Sequence, residues 1–288
     1  MATTITQSFR KFKTNLEITD LQATTVSTRQ RNVREAMEKK MTVLDSFLTG
    51  SYARSTMIAP LKDADIDVFI VLGSGYFERD GQAALLDKVK RALRATYTKT
   101  PAISRDGQAV TITFTDFQVD VVPGFNRKGG GYLIPNTQGY TWISTNPKEH
   151  VRISGAHNKA HDQSLVPLVK MIKCWNRAIG HHFRSFHLEV LAWQVMDGVN
   201  ITSYAQGMRY FLDKGRSAVT TKNRDPSGYG GDVGYYISTA EQIAEAASRF
   251  TTAYNRACKA EHYELSGKTE EAVGEWRKIF GATFPAYG

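Results

Sequence analysis

Apolar positions along the chain change their period twice. Over residues 5–48 they recur at helical spacing, first as Phe9, Phe12 and Leu16 and then, beyond Asp20, as Val33, Met37, Met41, Leu44 and Leu48. This spacing predicts helix through the whole stretch, with Arg29, Arg31, Arg34, Lys39 and Lys40 either on a solvated face or lining a basic groove. The run at 66–72, IDVFIVL, has the β-branched and aromatic content of a buried strand. A helix follows over 81–97, with Leu85, Leu86, Val89 and Leu93 on one side and Lys88, Lys90, Arg91 and Arg94 on the other. Two more strands are predicted at 109–114 and 117–123. Residues 124–157 are rich in Gly, Asn, Pro and aromatics, which predicts loops, short strands and a seam between subdomains. Helical periodicity then returns over 162–178, 186–200, 203–215, 239–262 and 269–280.

Two acids open the strongest strand. Side chains alternate faces in an extended chain, so Asp65 and Asp67 project to one side, roughly 7 Å apart at ~3.3 Å per residue. Like charges so close raise each other's pKa unless a cation lies between them. A hard divalent ion such as Mg²⁺, which prefers oxygen ligands and keeps positions for substrate phosphates, resolves the conflict. Upstream, Gly50-Ser51 reads as a tight turn into a short helix, where backbone N–H groups and the Ser51 hydroxyl suit a triphosphate. The competing reading is an exposed acidic turn, helped by Asp63, that caps a strand.

The later strand FQVDVVP repeats the pattern. Phe117, Val119 and Val121 share one face, while Gln118 and Asp120 share the other. A lone carboxylate among apolar β-residues is expensive to bury without a partner, so Asp120 is expected as a third metal ligand. Asp116 has the same parity and is its rival, though a capping role is ordinary at a strand edge. Three carboxylates and a phosphate-gripping turn meet the needs of two-metal nucleotidyl transfer. Tyr132, Tyr140 and Trp142 are either base-stacking residues or packing.

Composition narrows the partners. The chain has 288 residues, 41% hydrophobic and 23% charged, enough for a sizeable core and ordinary for a soluble protein. It contains no apolar run of bilayer length, and its first residues lack a signal-peptide apolar segment, so a cytoplasmic protein without membrane contact is expected. Cys174 and Cys258 have no metal-binding spacing and are expected to be reduced thiols. A net charge of +9 favours polyanionic partners such as nucleotides, and also serves solubility. Neither an internal repeat nor a low-complexity tract is present.

Gly-Ser, thirteen residues, then Asp-Ile-Asp-Val with a later strand aspartate resembles the signature of the polymerase-β-like nucleotidyltransferase superfamily. More closely, the chain resembles the bacterial CD-NTases, the cGAS/DncV-like nucleotidyltransferases related to oligoadenylate synthase. The resemblance implies an α+β fold, with a catalytic sheet flanked by helices, a C-terminal helical subdomain and a long N-terminal helix spanning both lobes. The implied boundaries are 1–48, 49–155 and 156–288. In the segment IKCWN it points to Lys173 for the triphosphate, with Lys170 a possible substitute, and in RSFHLEVL to Ser185; Asp225-Pro226 resembles a turn bordering the nucleotide pocket.

The implied activity joins NTPs into a cyclic di- or trinucleotide second messenger in anti-phage defence. Its implied requirements are two Mg²⁺ ions, with Mn²⁺ able to substitute, and a separate effector that reads the product. A monomer with no obligatory nucleic acid is expected. The alternatives are transfer of one nucleotide to a small molecule, protein or RNA end, or a non-catalytic RNA-binding module on the same scaffold.

Overall fold

The computed structural model describes residues 3–100 and 102–288. In chain order the elements are α1 (Ile5–Asn15), α2 (Asp20–Glu38), β1 (Val43–Leu48), α3 (Gly50–Ala53), β2 (Asp65–Leu72), α4 (Gln82–Thr96), β3 (Ala102–Asp106), β4 (Ala109–Thr113) and β5 (Gln118–Asn126). They continue with β6 (Tyr132–Asn136), β7 (Thr141–Thr145), α5 (Pro147–Ala160), α6 (Leu165–Ala178), α7 (Ser185–Val195), α8 (Tyr204–Ala218), α9 (Ala240–Leu265) and α10 (Thr269–Phe280). The chain divides into a sheet unit, Ile18–Arg152, and a helical unit formed by the chain up to Glu17 together with Ile153–Gly288.

In the sheet unit the strands run in the order β1-β2-β5-β4-β3, and β6 extends from β5 to β7. β2 and β5 are parallel, joined by a crossover that includes α4, and their other neighbours are antiparallel. Alternation divides the sheet's side chains. Ile66, Val68, Ile70 and Leu72 of β2, with Val119 and Val121 of β5, pack into one core with Val33 and Met37 of α2 and Leu86, Val89 and Leu93 of α4. On the opposite face Phe69 and Val71 join Tyr132 and Ile134 in a smaller cluster, packed by Phe47 and Val122. Asp65 and Asp67 share the parity of Phe69 and therefore lie on this second face.

In the helical unit, Phe9 and Phe12 of α1 insert among Trp276, Phe280 and Phe284, with ring centroids 4.6–6.3 Å apart. Trp175, Phe183, Phe211 and Phe250 form a second aromatic group. Such rings bury large area and favour tilted or edge-on contacts.

The N-terminal stretch departs from the expected continuous helix to residue 48. Thr19 breaks it by capping α2, accepting from the Gln22 N–H while the Gln22 side chain accepts from the Thr19 N–H. Residues 43–48 are a strand paired to β2, in which Leu44 is 55% exposed. Met41, Leu44 and Leu48 match helical spacing, but Leu44 is not in the core. Most of helix α5 also falls in the stretch expected to be loops and short strands. Asn146 caps its first turn by accepting from the Glu149 N–H, and Pro147 occupies the first helical position. The polar strand β3 pairs with β4 and has no counterpart in the sequence reading.

Candidate active site

Parallel pairing of β2 with β5 sets Asp67 directly beside Asp120 and Asp65 beside Gln118. All four side chains share one face, as period-2 alternation requires. β4 adds Thr111 opposite Asp120, and its hydroxyl donates to Asp120 Oδ1 at 2.6 Å. That bond orients one carboxylate oxygen. Thr111 is absent from the sequence reading, although its parity with Thr113 against Val110 and Ile112 carries the signal.

Gly50 explains why a glycine opens the turn after β1. Its φ is +63°, and a Cβ there would lie 1.8 Å from Asp67 Oδ2. The turn's backbone is therefore laid against the carboxylate with no room for a side chain. The Thr49 N–H donates to the Asp67 carbonyl at 2.9 Å, holding the turn to β2. Ser51 follows, half-buried, and its carbonyl accepts from the N–H groups of Thr56 and Met57 at 2.9 and 3.1 Å.

Burial pushes the Asp65 carboxyl above its usual range, and the charge of Asp120 adds to the rise. Among the described residues no three His, Cys, Asp or Glu side chains already converge closely enough to share a metal ion. The donor set nevertheless fits a hard divalent cation in kind: it is all carboxylate, lies on one face, and carries a like-charge repulsion that a cation relieves. The rival Asp116 is engaged elsewhere. It pairs with Arg29 at 3.2 Å and accepts from the Phe117 N–H at 3.1 Å, the capping role expected at a strand edge.

In the helical unit Lys173 is buried on α6, its Nζ 3.5 Å from Oε1 of Glu189, which is fully buried on α7. Lys170, one turn earlier, pairs with Glu17. Ser185 is exposed in the first turn of α7. Asp225 shapes its own loop: Oδ1 accepts from the Ser227 N–H at 2.8 Å, and the Asp225 N–H donates to the Gly231 carbonyl at 2.9 Å. Of the aromatic candidates, Tyr132 packs on Phe69 and Trp142 on Phe77, whereas Tyr140 is 81% exposed. Both cysteines are free thiols, and no described helix is long and apolar enough to cross a membrane.

Comparison with known proteins shows the family of the chain. The family described as the Second Messenger Oligonucleotide or Dinucleotide Synthetase domain matches residues 3–158. A cyclic AMP-AMP-AMP synthase of an Acinetobacter species is 25% identical over 301 residues, covering 98% of this chain and 86% of that protein. Two structures of Escherichia coli MS115-1 CdnC, one with ATP and one with a HORMA protein, are each 18% identical with a TM-score of 0.78. They cover 98% of this chain and 99% and 98% of theirs. The matched family spans the strands that bear Asp65, Asp67 and Asp120 and the turn at Gly50, and the chain belongs to it: the protein is a bacterial CD-NTase of the second messenger oligonucleotide or dinucleotide synthetase family.

Proposed function

We propose that this chain joins NTPs into a cyclic di- or trinucleotide second messenger in anti-phage defence. The observation that carries the reading is the Asp67–Asp120 pairing across parallel strands, with Gly50 backbone against Asp67. In each round a ribose hydroxyl oxygen bonds the α-phosphorus of an NTP, the bond from that phosphorus to the β-phosphate bridging oxygen breaks, and pyrophosphate leaves with its electrons. A linear intermediate then presents its own terminal hydroxyl to its own α-phosphate and closes the ring.

Asp65, Asp67 and Asp120 are the residues assigned to hold Mg²⁺, as two ions, or Mn²⁺ in its place. Bound there, the metal lowers the pKa of the attacking hydroxyl and neutralises phosphate charge. Thr111 orients Asp120, and Gly50 with Ser51 lets the polyphosphate approach the backbone closely. Ser185 and Lys173 are assigned to the triphosphate, with Lys173 exchanging part of its pairing to Glu189 for phosphate. Asp225 serves by shaping the loop that borders the nucleotide. The product acts in the cytoplasm on a separate effector, and the HORMA complex of the CdnC relative supports a protein regulator for this chain as well.

The test is to incubate purified protein with four NTPs and Mg²⁺ or Mn²⁺, treat with phosphatase, and identify products by mass spectrometry. A phosphatase-resistant cyclic nucleotide is expected. Labelled nucleotide found only on an added acceptor would replace this reading with single-nucleotide transfer, and no nucleotide product at any pH would overturn it.

A further inference from the structure

A second polar network stands at the start of α7, around residues given no role above. His187 is 1% exposed, and burial pulls its pKa down to about 4 against the opposing charge of Asp232, so the ring is neutral at physiological pH. Its Nδ1 lies 2.9 Å from the Tyr236 hydroxyl and its Nε2 lies 3.2 Å from Asn223 Nδ2. The surroundings decide which nitrogen carries the proton. Asn223 Nδ2 also donates to the carbonyls of Thr221 and Ala218, at 2.9 and 3.3 Å, which fixes the orientation of the amide.

The amide has two hydrogens for three acceptors, so the one aimed at the Ala218 carbonyl is shared with Nε2; a donor nitrogen therefore faces Nε2, and the neutral ring's single proton belongs on Nδ1, where it donates to the Tyr236 oxygen. The backbone N–H of Arg184 donates to that same oxygen at 2.9 Å. With two donors on its oxygen, the phenol turns its own proton away from His187 and Arg184. That proton stays on, because burial pushes the Tyr236 pKa up to about 12. The loop is fixed in place as well. Asp232 Oδ1 accepts from the N–H groups of Asn223 and Gly234, and a Cβ on Gly234 would lie 3.0 Å from His187 Cε1.

We infer that His187 is a positioning residue that holds the hydroxyl of the half-buried Tyr236 against the Arg184 N–H, one residue before Ser185, with its proton turned away from both donors as a hydrogen-bond donor to a phosphate oxygen of the bound nucleotide. The inference rests on the assignment of Ser185 to the triphosphate.

The test measures binding of the imido analogues of ATP, GTP, CTP and UTP with Mg²⁺ by calorimetry, and KM and kcat for product formation. Tyr236→Phe is expected to weaken binding and raise KM about tenfold, the size of one hydrogen bond to a charged acceptor, with kcat within twofold. His187→Asn, whose amide supplies a donor near the position of Nδ1, retains most of the affinity, whereas His187→Phe loses as much as Tyr236→Phe. Thermal melts accompany each variant, and if His187→Phe does not fold, Tyr236→Phe and His187→Asn decide. Wild-type binding together with Tyr236→Phe affinity within twofold of it overturns this inference alone. Wild-type protein that binds none of the four analogues overturns the nucleotide-site reading and this inference with it.

Discussion

In the sheet unit Asp67 and Asp120 are register neighbours, and Asp65 is held above its usual pKa by burial and by a like charge. In the helical unit Lys173 is buried against Glu189, and Lys170 is matched by Glu17. Charges that serve a scaffold are balanced inside it, because an uncompensated buried ion is strongly destabilising. Acids gathered with like charges gain their balance from what binds. Repulsion thus separates a ligand site from a structural ion pair, and Lys173 is the residue that tests both descriptions.

The largest effect is expected from removing the gathered acids. Asp65→Asn with Asp67→Asn should lower product formation by about 10³-fold, since several kcal/mol of transition-state stabilisation depends on them. Quantified product, beside an unchanged circular dichroism spectrum, checks this, and activity within tenfold of wild type would break the contrast. Next comes the buried pair. Glu189→Gln should destabilise the helical unit by about 3 kcal/mol in urea unfolding, because it removes the charged partner of a buried lysine. Lys173→Met with Glu189→Leu should recover most of that loss. If Lys173 also grips the triphosphate, this stable double variant shows a raised KM with little change in kcat. An unchanged KM would confine Lys173 to the scaffold.

These contrasts also show how far the sequence reaches. Asp65, Asp67 and Asp120 are legible because strand parity is a local property, and the apolar residues around them fix which face they take. Their adjacency is not local. It depends on the β2–β5 crossover and on the register that pairs residue 67 with 120, which no spacing encodes. Gly50 stands out as half of a Gly-Ser pair, yet its reason, the Asp67 oxygen where a Cβ would be, is tertiary. β1 is hidden because Met41, Leu44 and Leu48 fit a helical period, whereas the caps of α2 and α5, Thr19 with Gln22 and Asn146 with Pro147, are local signals in the sequence. His187 reads as an ordinary helix residue until Asn223 and Tyr236 arrive from a distant loop.

A smaller effect sharpens the comparison within the helical unit. His187 has a folded pKa of about 4, below the unfolded value of ~6.5, so the unfolded chain binds the extra proton between these pH values. Stability from this group is therefore fully present above pH ~6.5 and is lost as pH falls toward 4. Between pH 7.5 and 4.5 wild type should lose about 2 kcal/mol more than His187→Asn, measured as the difference between their urea unfolding free energies at each pH. Equal losses would mean that His187 is not held neutral.

The smallest expected effect has the opposite sign from ordinary mutagenesis. Asp65 has a folded pKa raised above its unfolded value, so at neutral pH its charge works against folding, and protonation on acidification relieves it. Asp65→Asn removes that repulsion. The Asp65 carboxyl is only partly desolvated and the residue stays open to water, so solvent screens the interaction, and the gain without metal should be only about 1 °C in Tm at pH 7. The gain should disappear near pH 3, where Asp65 is protonated in both states. Adding millimolar Mg²⁺ should reverse the ranking, since ligand binding stabilises the form that keeps its carboxylates. Differential scanning fluorimetry of both proteins, at two pH values and with and without Mg²⁺, reads all three outcomes without any assay of catalysis. A variant less stable than wild type at pH 7 in metal-free buffer would show that the Asp65 charge is balanced within the fold, and the distinction between gathered acids and paired lysines would fail at its central residue.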